Sequence, residues 1–150
     1  MHREDFRFFF PFRVRYAEID GQNVVFNAHY LTYFDTSITE YFRAMDYNYT
    51  AEVKDSGVDF HVVRSLVEYK SPIVFDQEIE VGVRVGRIGV SSLRFDLGVF
   101  GKGEDRLYAS GEIVWVYTDQ RTHEACASTT RCALGSHLST PSPDMRPFAT

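Results

Sequence analysis

The sequence predicts an α+β fold, with one long helix against a curved antiparallel sheet of about five strands. Three observations carry that prediction. Leu31, Phe34, Ile38, Tyr41, Phe42 and Met45 recur three, four, three, one and three residues apart, which gathers them on one face of an α-helix. After Gly57 the apolar period changes from 3.6 to two, in runs separated by Gly-containing turns. Aromatic residues make up 15% of the chain, and Phe and Tyr favour the pleated, half-buried surface of a sheet.

The first strand is expected between Phe6 and Tyr16. Alternation there sets Phe8, Phe10, Phe12, Val14 and Tyr16 on one face and Arg7, Arg13 and Arg15 on the other. Pro11 has no N–H to give a ladder, so this strand belongs at an edge or starts irregularly. A turn follows, in which Gly21 and Asn23 are the residues best suited to positive φ. The helix then runs to about Asp46-Tyr47-Asn48, and a loop is expected up to Gly57.

The segment from Val58 to Tyr69 is extended but alternates imperfectly, which points to a bulge or bend near Arg64-Ser65. Ser71-Pro72 and Phe75-Asp76-Gln77 turn the chain. Ile79, Val81, Val83 and Val85 then alternate with Glu80, Gly82, Arg84 and Gly86, and Gly86 to Gly89 is expected as a hairpin turn. Leu93, Phe95, Leu97 and Val99 form the next run, Gly101 to Asp105 a second turn, and Leu107, Ala109, Gly111, Ile113, Trp115 and Tyr117 a last long strand. Successive hairpins imply an antiparallel meander of about four strands. The core occupies about 6–120, and 121–150, with Pro141, Pro143 and Pro147 near its end, is expected to be partly loose. No internal repeat or domain boundary is visible, so 1–150 is expected as one domain. One helix covers only one face of such a sheet, so the open face and edges are expected to meet another subunit.

Composition narrows the function classes. The formal net charge is −5 and no Lys/Arg-rich run exists, which argues against a nucleic-acid partner. No apolar stretch approaches the length of a membrane span, and Phe8-Phe9-Phe10 is too short and too interrupted for a signal peptide. The expected location is cytoplasmic, with no membrane partner. Cys126 and Cys132 show neither a zinc-binding spacing nor a disulfide framework. No metal is expected.

Asp20 sits between the first strand and the helix. A carboxylate there meets free backbone N–H groups and the positive end of the helix dipole, which suits both a turn cap and chemistry. His29, His61, Ser65, Thr39 and Glu40 are further polar candidates, but none stands in a Ser-His-acid pattern. Glu40 has Arg43 three residues on, as expected of a solvated pair. Arg84, Arg87, Arg106 and Arg121 lie near turns, where they would meet an anionic ligand. Tyr33, Phe34, Tyr41 and Tyr47 are expected in the core or partly lining an apolar pocket.

Val14-Arg15-Tyr16-Ala17-Glu18-Ile19-Asp20 followed by Val24-Val25-Phe26-Asn27-Ala28-His29-Tyr30-Leu31 resembles the opening motif of the 4-hydroxybenzoyl-CoA thioesterase class of hotdog-fold proteins. Tyr69-Lys70-Ser71-Pro72, Phe75-Asp76 and Gly89-Val90-Ser91-Ser92 resemble later hairpins of the same class. The likeness runs from about Phe8 to about Asp119. It implies a hotdog fold, in which a curved five-stranded sheet wraps one long helix, with subunits paired as homodimers or homotetramers. It also implies a cofactor-free acyl-CoA thioesterase whose sites lie between subunits. Asp20 matches the family's nucleophile or general base, and the backbone N–H of Asn27 matches the donor that polarises the thioester carbonyl. Tyr30, His61 and Arg87 are the expected substrate-binding residues. Two positions depart from the pattern: Asn23 replaces the usual Gly, and Asn27 stands where many bacterial relatives have His or Tyr. The rival reading is a hotdog-fold acyl-binding or scaffold protein without turnover. A dehydratase is disfavoured, because its His/acid pairing is not visible.

Overall fold

A computed structural model describes residues 1–46 and 49–126. Five strands form one antiparallel sheet: β1 (Phe8–Arg13), β2 (Val58–Tyr69), β3 (Glu78–Ile88), β4 (Ser92–Gly101) and β5 (Leu107–Asp119). The long helix α1 (His29–Ala44) lies between β1 and β2 in sequence, followed by a short helix α2 (Tyr49–Ser56). This is the α+β architecture expected, a single long helix held by a five-stranded antiparallel sheet.

The sheet order is β1-β3-β4-β5-β2, so only β3, β4 and β5 form the meander. β2 is the far edge strand and pairs with β5 from Val58↔Asp119 to Tyr69↔Ala109. The imperfect alternation along β2 marked it as extended but did not name its neighbour. The chain from 70 to 77 carries it across instead: Lys70 and Ser71 donate to the Tyr108 carbonyl, and Ile73 accepts from Val25. That crossing segment also bridges Val24 to Val74, so the chain ahead of α1 is laid directly on it. The bulge in β2 falls between Val62 and Arg64, slightly before the expected place. The β3–β4 turn also shifts. Gly86 lies inside β3 at a bulge, and the hairpin closes through Gly89 N–H to Ser92 C=O at 2.8 Å.

Helix α1 buries Tyr30, Tyr33, Phe34, Ser37, Ile38, Tyr41 and Phe42. These pack on the inward residues of the sheet, chiefly Val81, Val83, Phe95, Leu97, Ile113 and Trp115. Leu31 was expected among them but is 40% exposed. The buried stripe winds along α1, from the Tyr30–Tyr33 side at the first turn to Phe42 at the last. Leu31 lies at the flank of this stripe and is left open. Tyr16 also leaves its expected face: β1 ends at Arg13, a 3-10 turn covers Tyr16–Glu18, and Tyr16 is 77% exposed. Pro11 does lie in an edge strand, as its missing N–H requires.

The stretch up to Gly57 contains α2 rather than loop alone, and Gly57 at φ 70° closes it. Eight residues carry too little periodicity to announce a helix. The outer face of the sheet is partly covered by the chain's own first residues. Phe6 sits over Gly82, where a Cβ would come within 2.7 Å of its ring, and stacks edge-on with Phe9 and Phe100. Arg3 lies over the Phe9 ring at 4.2 Å and pairs with Glu80. Cys132, Tyr47 and the expected loose tail from 127 onward lie outside the described residues.

Asn23 has φ 61°, as its place in the turn predicts, whereas Gly21 is not among the positive-φ residues. Asn23→Gly is expected to leave thermal melting unchanged. Asn23→Val is expected to cost about 1–2 kcal/mol through left-handed backbone strain. Equal melting of the two variants would contradict the turn.

Candidate active site

The segment from Glu18 to Phe26 folds back on itself as a short hairpin. Ile19 bridges Val25, Asp20 N–H donates to Val24 C=O at 2.9 Å, and Phe26 N–H donates to Glu18 C=O at 2.9 Å. Asn23 N–H donates to Asp20 C=O at 2.9 Å and closes the tip. Asp20 is half-buried at that tip. Its Oδ1 accepts the Gln22 N–H at 2.8 Å, an Asx turn. Among the described residues, Oδ2 has no partner. One oxygen therefore orients the carboxylate while the other is open to a ligand.

The other end of the hairpin runs into α1. Asn27 is exposed, and its carbonyl accepts the Tyr69 hydroxyl of β2 at 3.0 Å. Among the described residues, no acceptor takes the N–H of Asn27 or of Ala28. Ala28, at the N-cap, supplies no side-chain acceptor, and the first turn holds no acid. The positive end of α1 is thus left with open donors beside a pinned carbonyl. Asp20 and Asn27 stand at opposite ends of one hairpin, one offering an open carboxylate oxygen and the other an open N–H.

Tyr30 is 3% exposed and enclosed by Tyr33 and by Tyr69, whose ring meets it edge-on at 5.0 Å. Burial, with a lesser contribution from Tyr69, pushes its phenol up to about 12. In this chain it packs behind the hairpin rather than lining an open surface. His61 is exposed on β2, its ring nitrogen 2.9 Å from the Gln120 amide. Eight residues of strand separate it from Tyr69, roughly 26 Å. Arg87 is exposed at the far end of β3, opposite Arg94. Neither joins Asp20 within one chain.

The remaining candidates have local partners. Glu40 pairs with Arg43 as expected, Thr39 donates to the Asp35 carbonyl, and His29 meets the Phe26 ring at 5.8 Å. Arg84 and Arg94 flank Asp96, Arg106 reaches Ser71, and Arg121 pairs with Asp119. Ser65 is exposed on β2. Cys126 is a free thiol near the Tyr117 carbonyl. Among the described residues, no group of three His, Cys, Asp or Glu side chains could hold a metal ion. No helix among them is long and apolar enough to cross a membrane.

Sequence reasoning passed over Glu18 and the polar end of Tyr33. Glu18 is 6% exposed, although it stands only two residues before Asp20. Burial works against its charge, but the Arg15 N–H and guanidinium more than offset that and hold its carboxyl below the ordinary range. The Tyr33 phenol is raised well above its usual range by burial and then by the nearby Glu18 charge. Its hydroxyl is buried with no partner of hydrogen-bonding geometry. The Arg15–Glu18 spacing of three was the available signal, since it is that of a reciprocal cap.

Comparison with known proteins decides the family, because residues 14–145 match the profile of the thioesterase-like superfamily. The chain belongs to that superfamily. It is a thioester hydrolase by that membership. Among curated relatives of this superfamily member, the acyl-CoA thioester hydrolase YbgC of Escherichia coli O157:H7 is 28% identical over 112 residues, 75% of this chain and 82% of that protein. The acyl-CoA thioesterase YbgC of Haemophilus influenzae is 27% identical over 89 residues, 59% of this chain and 65% of that protein. The crystal structure of the PA5185 protein from Pseudomonas aeruginosa superposes with a TM-score of 0.78 at 28% identity, covering 99% of this chain and 98% of that one. The DHNA-CoA thioesterase of Staphylococcus aureus shares the fold at a TM-score of 0.76 and 20% identity, over 87% of each chain.

Proposed function

We propose that this thioester hydrolase cleaves acyl-CoA to free acid and CoA, with Asp20 as nucleophile or general base. The observation that carries the proposal is a half-open, backbone-oriented Asp20 carboxylate on the same short hairpin that leads into the open N–H groups ahead of α1. As a general base, Asp20 takes a proton from water while the oxygen attacks the thioester carbonyl carbon. The Asn27 N–H stabilises the negative oxygen that develops, and the C–S bond then breaks to release CoA as thiolate. As a nucleophile, Asp20 forms an acyl anhydride that water opens in a second step. The YbgC relatives, named for acyl-CoA hydrolysis, support the choice of acyl carrier. A panel of short, long and aryl acyl-CoAs, scored by release of free thiol, tests it. Turnover of at least one class is expected, and binding without turnover across the panel would favour an acyl-binding protein instead.

The active unit is proposed to be a homodimer or a pair of dimers. β2 is an open sheet edge, and Val62 and Val63 on it are 54% and 59% exposed, with Leu66 and Tyr69 beside them. An exposed apolar edge of that length is a template for pairing. Antiparallel pairing of two β2 strands about their middle sets each His61 near the Leu66–Tyr69 end of the other chain. That is the proposed route by which His61 reaches substrate. Arg87 is proposed to meet CoA phosphate in the same assembly, and Tyr30 to back the acyl group through Tyr69. Light scattering at micromolar concentration is expected to show a dimer or tetramer. A stable, folded monomer would contradict this assembly.

A further inference from the structure

Tyr69 makes a hydrogen bond that neither burial nor the β2 ladder requires. The residue ends β2 opposite Ala109, and the next two N–H groups, of Lys70 and Ser71, both donate to the Tyr108 carbonyl. Its backbone is therefore fixed on either side. Its ring stands edge-on to Tyr30 at 5.0 Å, yet the residue is 53% exposed, so water could satisfy its hydroxyl. The hydroxyl instead donates to the Asn27 carbonyl at 3.0 Å, 42 residues away.

That carbonyl is one the helix does not use. The His29 N–H donates to Phe26 C=O at 3.0 Å and closes a turn around Asn27 and Ala28, while the Leu31 N–H goes to Ala28 C=O at 3.3 Å. Among the described residues, Tyr69 is the donor that the Asn27 carbonyl has. Asn27 C=O and Ala28 N–H belong to one trans peptide unit and point opposite ways. A donor on the carbonyl fixes the orientation of that unit and, by polarising it, strengthens the N–H on the far side. This N–H and that of Asn27 are the open pair ahead of α1.

We propose that Tyr69 is a positioning residue for the oxyanion site. Its hydroxyl holds the Asn27–Ala28 peptide so that the Ala28 N–H joins the Asn27 N–H in meeting the thioester oxygen. Tyr69 acts through that peptide and transfers no proton. This inference rests on the reading of the start of α1 as the donor in the proposed reaction.

The experiment is steady-state hydrolysis of a responsive acyl-CoA by Tyr69→Phe and Asn27→Pro, with thermal melting and a kcat–pH profile for each. Tyr69→Phe keeps the ring against Tyr30 and removes only the hydroxyl. Its kcat is expected to fall about tenfold with KM within about twofold, since the loss is felt where charge develops on the oxygen. The pH profile should keep its shape, and melting should stay close to the parent, because the lost bond is exposed. Asn27→Pro deletes one donor outright, and proline suits the second position of the turn that His29 closes. It is expected to lose roughly a hundredfold in kcat, the cost of a missing oxyanion donor. Full kcat in Tyr69→Phe beside an impaired Asn27→Pro overturns the role of Tyr69 alone. So does a loss confined to KM, which would make Tyr69 a substrate contact, or a displaced pH limb, which would make it a proton donor. A kcat loss that comes with a large fall in melting temperature makes Tyr69 a structural tie and also overturns the role. Parent-like kcat in a folded Asn27→Pro instead overturns the donor reading underneath.

Discussion

Asp20→Asn is expected to lower hydrolysis at least about a hundredfold, because positioned acid–base help alone contributes that much and a nucleophile contributes more. Size is conserved, and the amide oxygen can still accept the Gln22 N–H that Oδ1 accepts now. The Asx turn therefore survives, as do the Asp20–Val24 and Asn23–Asp20 backbone bonds, which involve no side chain. What disappears is the charge and the proton-accepting oxygen. Among the described residues Asp20 has no cationic partner, so no ion pair is lost with it, and melting is expected to stay close to the parent. Steady-state rates and thermal melting are measured on the same preparation. Activity retained in a folded variant would remove Asp20 from the chemistry. Activity lost together with a large fall in melting temperature would make Asp20 a turn cap first.

Gly111→Ala is expected to be the most damaging single-methyl change in the sheet. A Cβ at Gly111 would lie 2.4 Å from Cε2 of Phe34 and 2.5 Å from the Leu66 carbonyl oxygen. Phe34 is fully buried on α1, and Leu66 is backbone of β2 held in the β2–β5 ladder, so neither neighbour can give cheaply. Overpacking of this kind costs about 1–3 kcal/mol. For a chain of this size that is a fall in melting temperature of roughly 3–10 °C. The strain falls on α1 and on β2, the two elements joined by the Tyr69–Asn27 hydrogen bond, so kcat is expected to fall as well. An unchanged melting temperature would mean that Phe34 does not pack over Gly111.

Helix α1 was legible because seven of its residues are buried on one winding stripe, and an amphipathic period survives whatever the helix packs against. β3, β4 and β5 were legible for the same reason at period two, and short Gly-containing turns leave adjacent strands little choice of partner. The positive φ of Asn23 was legible because few residues other than Gly tolerate it. Asp20 stood out as the acid at the joint of strand and helix, and the family resemblance of the motif around it is what proposes a role for it.

Tertiary structure alone decided the rest. β2 reads as an extended strand in the sequence, yet it lies across the sheet from β3 and pairs with β5, since a strand pattern does not encode which strand lies alongside. Leu31 fits the helical period and is still exposed, because it lies at the flank of the buried stripe and not at its centre. The first residues fold onto the outer face because Gly82 leaves room for the Phe6 ring, a fit between positions 76 residues apart. Glu18 and Tyr33 are 15 residues apart, and each alone is an ordinary surface acid or core aromatic. Only the folded chain buries both the charge and the hydroxyl, and burial across elements is what a local sequence pattern does not carry.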